Sequence, residues 1–156
     1  LLSFEKALRK AGIEKFNLVP VSSILPPRCE IVSKREGLKY LSAGEVVFCV
    51  MSLNSSNEPG KNIFASIGCA IPKNRDIHGY ISEHHGFDKS EEEVSSYVKY
   101  LASYMLATTL GLKMNERKKL NDFVKKNEIK ELSFIQTQKT KKNLWTTVIA
   151  SAVFVP

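Results

Sequence analysis

The sequence lacks the features that mark membrane-spanning and disulfide-stabilised proteins. Its longest apolar stretches, residues 44–53 and 144–156, are too short and too polar to span a bilayer. No charged segment followed by an apolar core opens the sequence, so it shows no secretory signal. Cys29, Cys49 and Cys69 are odd in number and widely spaced, which argues against disulfides or a cysteine metal site. We therefore expect a cytoplasmic protein that makes no membrane contact.

Stacking aromatic motifs and Cys/His fingers are also missing, although the net charge is +7. The lysines concentrate between residues 113 and 142, mixed with Asn, Glu and Gln. This mixture favours a solvated basic face over a nucleic-acid site. His78, His84 and His85 have no acidic or cysteine partner at metal-binding spacing, and adjacent strand residues point to opposite faces. We expect neither a nucleic acid nor a metal ion as ligand.

The sequence does contain an ordered series of helix-like and strand-like segments. Residues 1–12 predict a short helix that ends at Gly12. Ser90 and Glu93 have the spacing of a capping box and begin a helix that Gly111 stops, and a weaker helix is predicted at 116–127. The predicted strands cover residues 16–22, 45–53, 63–71, 77–84, 129–138 and 144–155.

These segments predict an α+β layered sandwich in a single domain of 156 residues, with helices covering the sheets. The turn at 54–60 predicts that strands 45–53 and 63–71 pair as a hairpin. Apolar and small residues alternate along 63–71, which indicates a strand covered on both faces. The buried face of the long helix is predicted to comprise Val94, Tyr97, Val98, Leu101, Tyr104, Met105 and Thr108.

One motif carries possible chemistry, the pair Ser22–Ser23 at the end of a strand and just before Pro26–Pro27. The prolines stiffen the backbone there, and a stiff strand end can preposition an intramolecular reaction. The Ser23 hydroxyl could attack the Ser22 carbonyl and exchange the peptide bond for an ester. Elimination and hydrolysis would then leave a ketone at residue 23. Taken alone, however, a Ser-Ser pair is more often a pair of solvated hydroxyls.

Residues 17–27, which read NLVPVSSILPP, resemble the processing site of the pyruvoyl-dependent arginine decarboxylases. The likeness continues through 4–12, 60–72, 79–83 and the long helix to the closing strand, so it covers nearly the whole chain. The resemblance implies an αββα sandwich that cleaves itself and assembles as a homotrimer or a dimer of trimers. It also implies active sites at the contacts between subunits.

The resemblance further implies a small chain, residues 1–22, and a large chain, residues 23–156, that begins with a pyruvoyl cofactor derived from Ser23. The pyruvoyl ketone would form an imine with arginine and accept electrons as carbon dioxide leaves, giving agmatine, a precursor of polyamines. Glu83 would return a proton to the α-carbon. Without the resemblance, Glu83 would be taken for a surface carboxylate at a strand end.

Two further residues receive roles from the resemblance. Asn17 matches an asparagine that positions the processing site; without the resemblance it would be taken for a strand-edge or turn asparagine. Glu5 stands where the family has an aspartate that binds the substrate guanidinium, and the turn at 12–16 also departs from the family pattern. Glu5 could otherwise be a solvated helix carboxylate. Two alternatives stay open: a decarboxylase of another amino acid, and an unprocessed, non-catalytic relative.

Overall fold

The computed structural model describes residues 2–113 and 117–156. These residues contain four helices and seven strands. The helices are α1 (Leu2–Ala11), α2 (Lys34–Gly37), α3 (Glu91–Thr109) and α4 (Arg117–Lys126), and a 3-10 turn covers Leu38–Tyr40. The strands are β1 (Asn17–Pro20), β2 (Ile24–Leu25), β3 (Val46–Ser56), β4 (Asn62–Ile71), β5 (Gly79–Phe87), β6 (Lys130–Lys139) and β7 (Thr146–Val153). The three predicted helices are confirmed; positions 1 and 116 of those predictions lie outside the described residues.

The strands form two sheets. Sheet I has the order β1-β3-β7, with β1 parallel to β3 and β7 antiparallel to it. Sheet II has the order β2-β5-β4-β6 and is antiparallel throughout. The chain therefore leaves sheet I at the end of β1 and enters sheet II at β2, within three residues.

Apolar clusters arrange these elements in four layers. Between the sheets, Val50 of sheet I packs with Ile67 and Ile81 of sheet II. Leu8 of α1 packs on the outer face of sheet I, while α3 and α4 cover the outer face of sheet II through Leu106 and other residues. The predicted α+β class is confirmed, and the layers follow the order αββα. None of the described helices is long and apolar enough to cross a membrane.

The predicted hairpin between residues 45–53 and 63–71 is wrong. β3 pairs with β1 and β7, whereas β4 pairs with β5 and β6, so the turn carries the chain from one sheet to the other. β3 also continues through the predicted turn as far as Ser56. The amide of Asn54 donates to the Gly86 carbonyl at 2.7 Å, and Ser52 donates to the His84 carbonyl at 2.9 Å, so both bridge the sheets. Asn54, which the sequence predicts in a turn, thus forms a hydrogen bond between the sheets.

β4 is the strand buried on both faces, as its residue pattern predicts. Ile63 and Ile67 face the other sheet, while Gly68 and Ala70 face α3. Because these last two residues are small, the helix approaches the strand closely: the Ser82 hydroxyl of β5 donates to the Val98 carbonyl of α3 at 2.6 Å.

The start and stop of α3 are as predicted, but its buried face is only partly so. Ser90 and Glu93 form a capping box, and Gly111 has a φ of 85°. Val94 and Val98 are buried, whereas Tyr97 is 44% exposed. The other buried side chains of α3 are Ala102, Ser103, Leu106 and Ala107. The close approach to sheet II therefore selects small residues that a search for large apolar side chains overlooks.

We expect Gly68→Ala to destabilise the fold strongly. A Cβ added at Gly68 would overlap the Val98 carbonyl and lie 2.7 Å from the Ser82 Oγ. Overpacking of this kind costs up to about 3 kcal/mol, and losing the hydrogen bond between Ser82 and Val98 costs about 1 kcal/mol more. Urea unfolding would measure the change in free energy.

Gly60→Ala is the matched control, because Gly60 has nothing within 4 Å of an added Cβ and only its φ of 79° opposes alanine. That backbone conformation costs an alanine about 1 kcal/mol. An equal or smaller loss of stability for Gly68→Ala would contradict the close packing of α3 on β4.

Candidate active site

Ser22 and Ser23 lie where the chain crosses from sheet I to sheet II. On one side of the pair, the Val21 amide donates to the Cys49 carbonyl at 3.0 Å, which extends the pairing of β1 with β3. On the other side, the Ile81 amide donates to the Ser23 carbonyl at 2.7 Å, which extends the pairing of β2 with β5. Ser22 is exposed and Ser23 is half-buried.

The peptide bond between the two serines therefore bridges two independently held backbones. The segment 17–27 contains no residue with a positive φ. It is held in place by the backbone hydrogen bonds of Val21 and Ser23 to the two sheets. If that peptide bond broke, residue 22 would stay on sheet I and residue 23 on sheet II. A reactive group made from Ser23 would keep the hydrogen bond between its carbonyl and the Ile81 amide.

Glu83 lies on the strand next to Ser23. It follows Ile81 by two residues, about 7 Å along β5, and strand alternation places it on the same face as Ile81, which points toward sheet I. Glu83 is an exposed residue, although its carboxyl is partly removed from solvent. Burial raises the pKa of its carboxyl above the ordinary value, while the charge of His85 acts to lower it. Such a carboxyl holds its proton to a higher pH than a free glutamate.

His84 points to the opposite face of β5, as the alternation predicts. Its ring packs between Phe64 and Tyr97, with centroids 5.2 and 4.6 Å away. Its Nε2 is buried and forms no hydrogen bond with any residue of the described ranges. Burial lowers the pKa of His84, helped by the charges of Lys89 and His85, so the ring is kept neutral. His84 therefore packs against α3 and takes no part beside Glu83.

Asn17 lies away from the serine pair within the same chain. It is the first residue of β1, and its side-chain amide donates to the Gly44 carbonyl at 2.7 Å. Five residues separate it from Ser22, an extended span of about 16 Å. Within its own chain, the Asn17 side chain is therefore out of reach of Ser22–Ser23.

Glu5 is also separate from the serine pair, because α1 packs on the outer face of sheet I. Its carboxylate accepts a hydrogen bond from Arg9 Nε at 3.1 Å, and Arg9 Nη2 lies 3.1 Å from the same oxygen. Glu5 thus already binds the guanidinium of Arg9, which lies on the same helix. Glu14, nine residues further along the chain, has a buried Oε2 that forms no hydrogen bond with any of the described residues.

Two neighbours of the site were not found from the sequence as site residues. The Cys49 carbonyl accepts the hydrogen bond from the Val21 amide. Burial raises the pKa of the Cys49 thiol, a hydrogen bond with Ser151 lowers that pKa, and the negative charge of Glu83 raises it. His85 stands on the same face as Glu83 and influences its pKa. Strand alternation could have identified His85 as a residue on the same face as Glu83. The position of Cys49 depends on the parallel pairing of β1 with β3, which no local sequence pattern indicates.

The backbone beside Ser23 borders an apolar cavity of about 350 Å³. Leu25, Ile81, Ile67 and Phe154 are among its lining residues. The Ile81 amide donates to the Ser23 carbonyl and Leu25 follows Ser23 by two residues, so apolar side chains lie beside the Ser23 backbone.

We expect the pKa of Glu83 to rise further in His85→Gln. The positive charge of His85 favours the carboxylate, so removing it favours the protonated form. Carboxyl carbon chemical shifts followed by NMR across pH would measure this pKa. His78→Gln, the same substitution at the other end of β5, should leave it unchanged. A fall in the Glu83 pKa in His85→Gln would show that the two groups do not interact as described.

Comparison with known proteins places the chain in a family. The family model for "Pyruvoyl-dependent arginine decarboxylase (PvlArgDC)" matches residues 1–156. Pyruvoyl-dependent arginine decarboxylase 1 of Methanosarcina acetivorans is 49% identical, over 99% of this chain and 86% of that protein. The pyruvoyl-dependent arginine decarboxylase of Methanocella arvoryzae is 50% identical over the same shares.

A solved structure, that of a pyruvoyl-dependent histidine decarboxylase, has a TM-score of 0.46 and 13% identity, over 75% of this chain and 53% of that chain. That likeness is too low to carry an assignment. The family model and the relatives are sufficient: the chain belongs to the pyruvoyl-dependent arginine decarboxylase family.

Proposed function

We propose that this protein cleaves itself between Ser22 and Ser23 and then decarboxylates arginine to agmatine and carbon dioxide. The observation that carries the proposal is the placement of the serine pair. Each side of the Ser22–Ser23 bond is held by a different sheet, and the strand beside Ser23 presents Glu83, a carboxyl of raised pKa. Membership in the family supports the same reaction and the same substrate.

The cleavage needs no atoms beyond the chain and one water molecule. The Ser23 hydroxyl attacks the Ser22 carbonyl, and the peptide nitrogen becomes a free amine as the ester forms. Elimination breaks the ester and leaves a carboxylate at Ser22. Hydrolysis at residue 23 then releases ammonia and leaves a ketone. The single domain would thus consist of a small chain, 1–22, and a large chain, 23–156, held together by the αββα layers.

The pyruvoyl group derived from Ser23 would supply the electron sink for decarboxylation. Residues of the chain would orient the pyruvoyl group, donate the proton and surround the reacting atoms. The Ile81 amide orients residue 23 through its carbonyl, at 2.7 Å. Glu83 keeps its proton to a higher pH than an ordinary glutamate and can deliver it to the substrate's α-carbon. Leu25 and Ile81 keep an apolar wall behind the reacting atoms.

The assembly we propose is a homotrimer or a dimer of trimers, with sites shared between copies. An exposed apolar patch extends along β1 and β3 up to the crossing of the chain between the sheets: Val46 is 58% and Phe48 51% exposed, and Val19 and Val21 are also exposed. A patch of this kind is typical of a protein contact. A contact there would let a neighbouring copy bring its own Asn17 toward Ser22–Ser23.

The same contact would complete a site for the substrate guanidinium. A carboxylate holds a guanidinium through charge-assisted hydrogen bonds, and Glu5 already does so with Arg9. Glu14 offers a second carboxylate with an unpartnered buried oxygen close in sequence. We therefore propose that Glu5 exchanges Arg9 for the guanidinium of bound arginine. The proposed location is the cytoplasm, where thiols such as Cys29, Cys49 and Cys69 persist.

Ser23→Ala should abolish cleavage, whereas Ser22→Ala should leave it intact. The Ser23 hydroxyl is the attacking group, and the side chain of Ser22 forms no bond in the reaction. Denaturing electrophoresis and intact mass would show one uncut chain for the first variant and two fragments for the second. The two fragments together should contain one water more and one ammonia less than the uncut chain. A single uncut wild-type chain would identify the protein as a non-catalytic relative.

Glu83→Gln should undergo cleavage but lose about 10²- to 10⁴-fold in kcat, because glutamine cannot donate the proton. Carbon dioxide release from arginine measures kcat, and the mass of the large fragment confirms that cleavage took place. Glu58→Gln, which removes a carboxylate from the exposed turn after β3, is the control for loss of charge and should retain full activity. Unchanged turnover in Glu83→Gln would exclude Glu83 as the donor.

Glu5→Gln should raise KM for arginine by about 10- to 100-fold, because a hydrogen bond to a charged group contributes about 1.5–3 kcal/mol. Arg9→Gln should lower that KM, since it frees the Glu5 carboxylate. Citrulline, a neutral analogue of arginine of the same length, serves as the reference substrate in both variants. If lysine or ornithine releases carbon dioxide and arginine does not, the alternative of another amino acid substrate is correct.

A further inference from the structure

We propose that a lysine-lined cleft beside α1 binds a small phosphorylated ligand that carries at least three negative charges. The cleft has a volume of about 520 Å³. It lies between α1 and strands β6 and β7, each of which forms one edge of its sheet. Its position on the edge of the sandwich opposite β1 and β2 separates it from the Ser22–Ser23 site.

Five lysines line this cleft, and none of its lining residues is acidic. They come from three separate parts of the chain: Lys6 and Lys10 from α1, Lys34 from α2, and Lys139 and Lys141 from the end of β6 and beyond it. The Lys34 ammonium lies 3.5 Å from the Lys10 carbonyl, so the α2 segment is held against the C-terminal end of α1. The fold thus gathers charges that are scattered in the sequence.

The charge of the five cleft lysines is not neutralised by any carboxylate within the described residues. Elsewhere Lys39 pairs with Glu36 at 2.7 Å, and Lys73 pairs with Glu128 at 2.6 Å. Within residues 2–113 and 117–156, no cleft lysine forms an ion pair. A concave surface lined by one sign of charge focuses the electrostatic potential and concentrates ions of the opposite sign.

The cleft is on a different flank of α1 from Glu5 and Arg9. Lys6 and Lys10 are four residues apart, so they share one side of the helix, and both face the cleft. Glu5 and Arg9 are also four residues apart and pair with each other outside it. The cleft is therefore independent of the proposed guanidinium site and could be occupied while arginine is bound.

Phosphate is the chemistry that fits this cleft. Lysine ammonium groups bind phosphate oxygens as point charges, and hydroxyls and amides add hydrogen bonds. The wall carries Thr146, Gln136 and Gln138, and also Ser3 and Thr147, whose hydroxyls bond to each other at 2.8 Å. Five positive charges exceed what a single carboxylate needs, and the volume falls in the range of small-molecule sites.

Isothermal titration at about 0.15 M salt, where long-range attraction is screened, tests the proposal on the full chain. The probes are inorganic triphosphate, ATP and citrate, the last a multiply charged anion without phosphate. Triphosphate should bind saturably, with one site per chain, and more tightly than citrate. A higher affinity for ATP would show that the nucleoside is also contacted, and equal affinities would assign the binding to the phosphates alone.

Two double variants remove the cleft charge from opposite walls, and circular dichroism checks that each is folded. Lys6→Gln with Lys10→Gln, and Lys139→Gln with Lys141→Gln, should each weaken triphosphate binding at least about tenfold. Lys119→Gln with Lys125→Gln removes the same charge from exposed positions of α4 and should change the affinity less than about twofold.

Lysines on edge strands also discourage sheet-to-sheet association, and that role predicts no saturable binding. The proposal is therefore overturned if triphosphate fails to saturate, if citrate binds as tightly, or if the α4 control loses as much affinity as the cleft variants.

Discussion

Burial of β4 on both faces is the constraint on which the other layers depend. Ile63 and Ile67 are removed from water against sheet I, and burying each such side chain contributes about 1.5–3 kcal/mol. On the other face, Gly68 lets the backbone of α3 come into direct contact with the strand. β4 therefore fixes the distance to sheet I on one side and to α3 on the other, and β5, its neighbour in sheet II, is positioned by that packing. β5 in turn holds Ser23 and carries Glu83.

The Ser22–Ser23 peptide bond lies where the chain crosses from one sheet to the other, so different sheets hold its two sides. A peptide bond within one sheet would be held by the same ladder on both sides. Here the Val21 amide is held by sheet I and the Ser23 carbonyl by sheet II. The bond lies between two rigid layers that do not need it for their packing, so its loss need not release either end. The surroundings of Ser23 combine apolar and polar groups, because Ile81 lines the 350 Å³ cavity and Glu83 follows Ile81 on the same face of β5.

Charge is distributed unevenly over the molecule, and the fold accounts for much of that unevenness. Carboxylates such as Asp88 and Glu128 pair with lysines near the ends of β4 and α4. The cleft beside α1 receives five lysines and no carboxylate. The predicted solvated basic face at 113–142 therefore describes only part of the basic surface, since two of its lysines meet three others from the N-terminal quarter of the chain.

The sequence by itself determined the elements whose signals are local. The capping box at Ser90 and Glu93 predicts where α3 begins, because both hydrogen bonds lie within four residues. The alternation along 63–71 predicts a strand buried on both faces, and the motif around Ser22–Ser23 identifies the family. The tertiary structure decided which strands pair, because a turn between two apolar runs is compatible with a hairpin and with a passage between sheets. It alone placed Glu5 away from Ser23 within one chain and brought Cys49 beside Val21. Those relations depend on contacts between residues far apart in sequence, and the identity of a residue does not specify its distant partner.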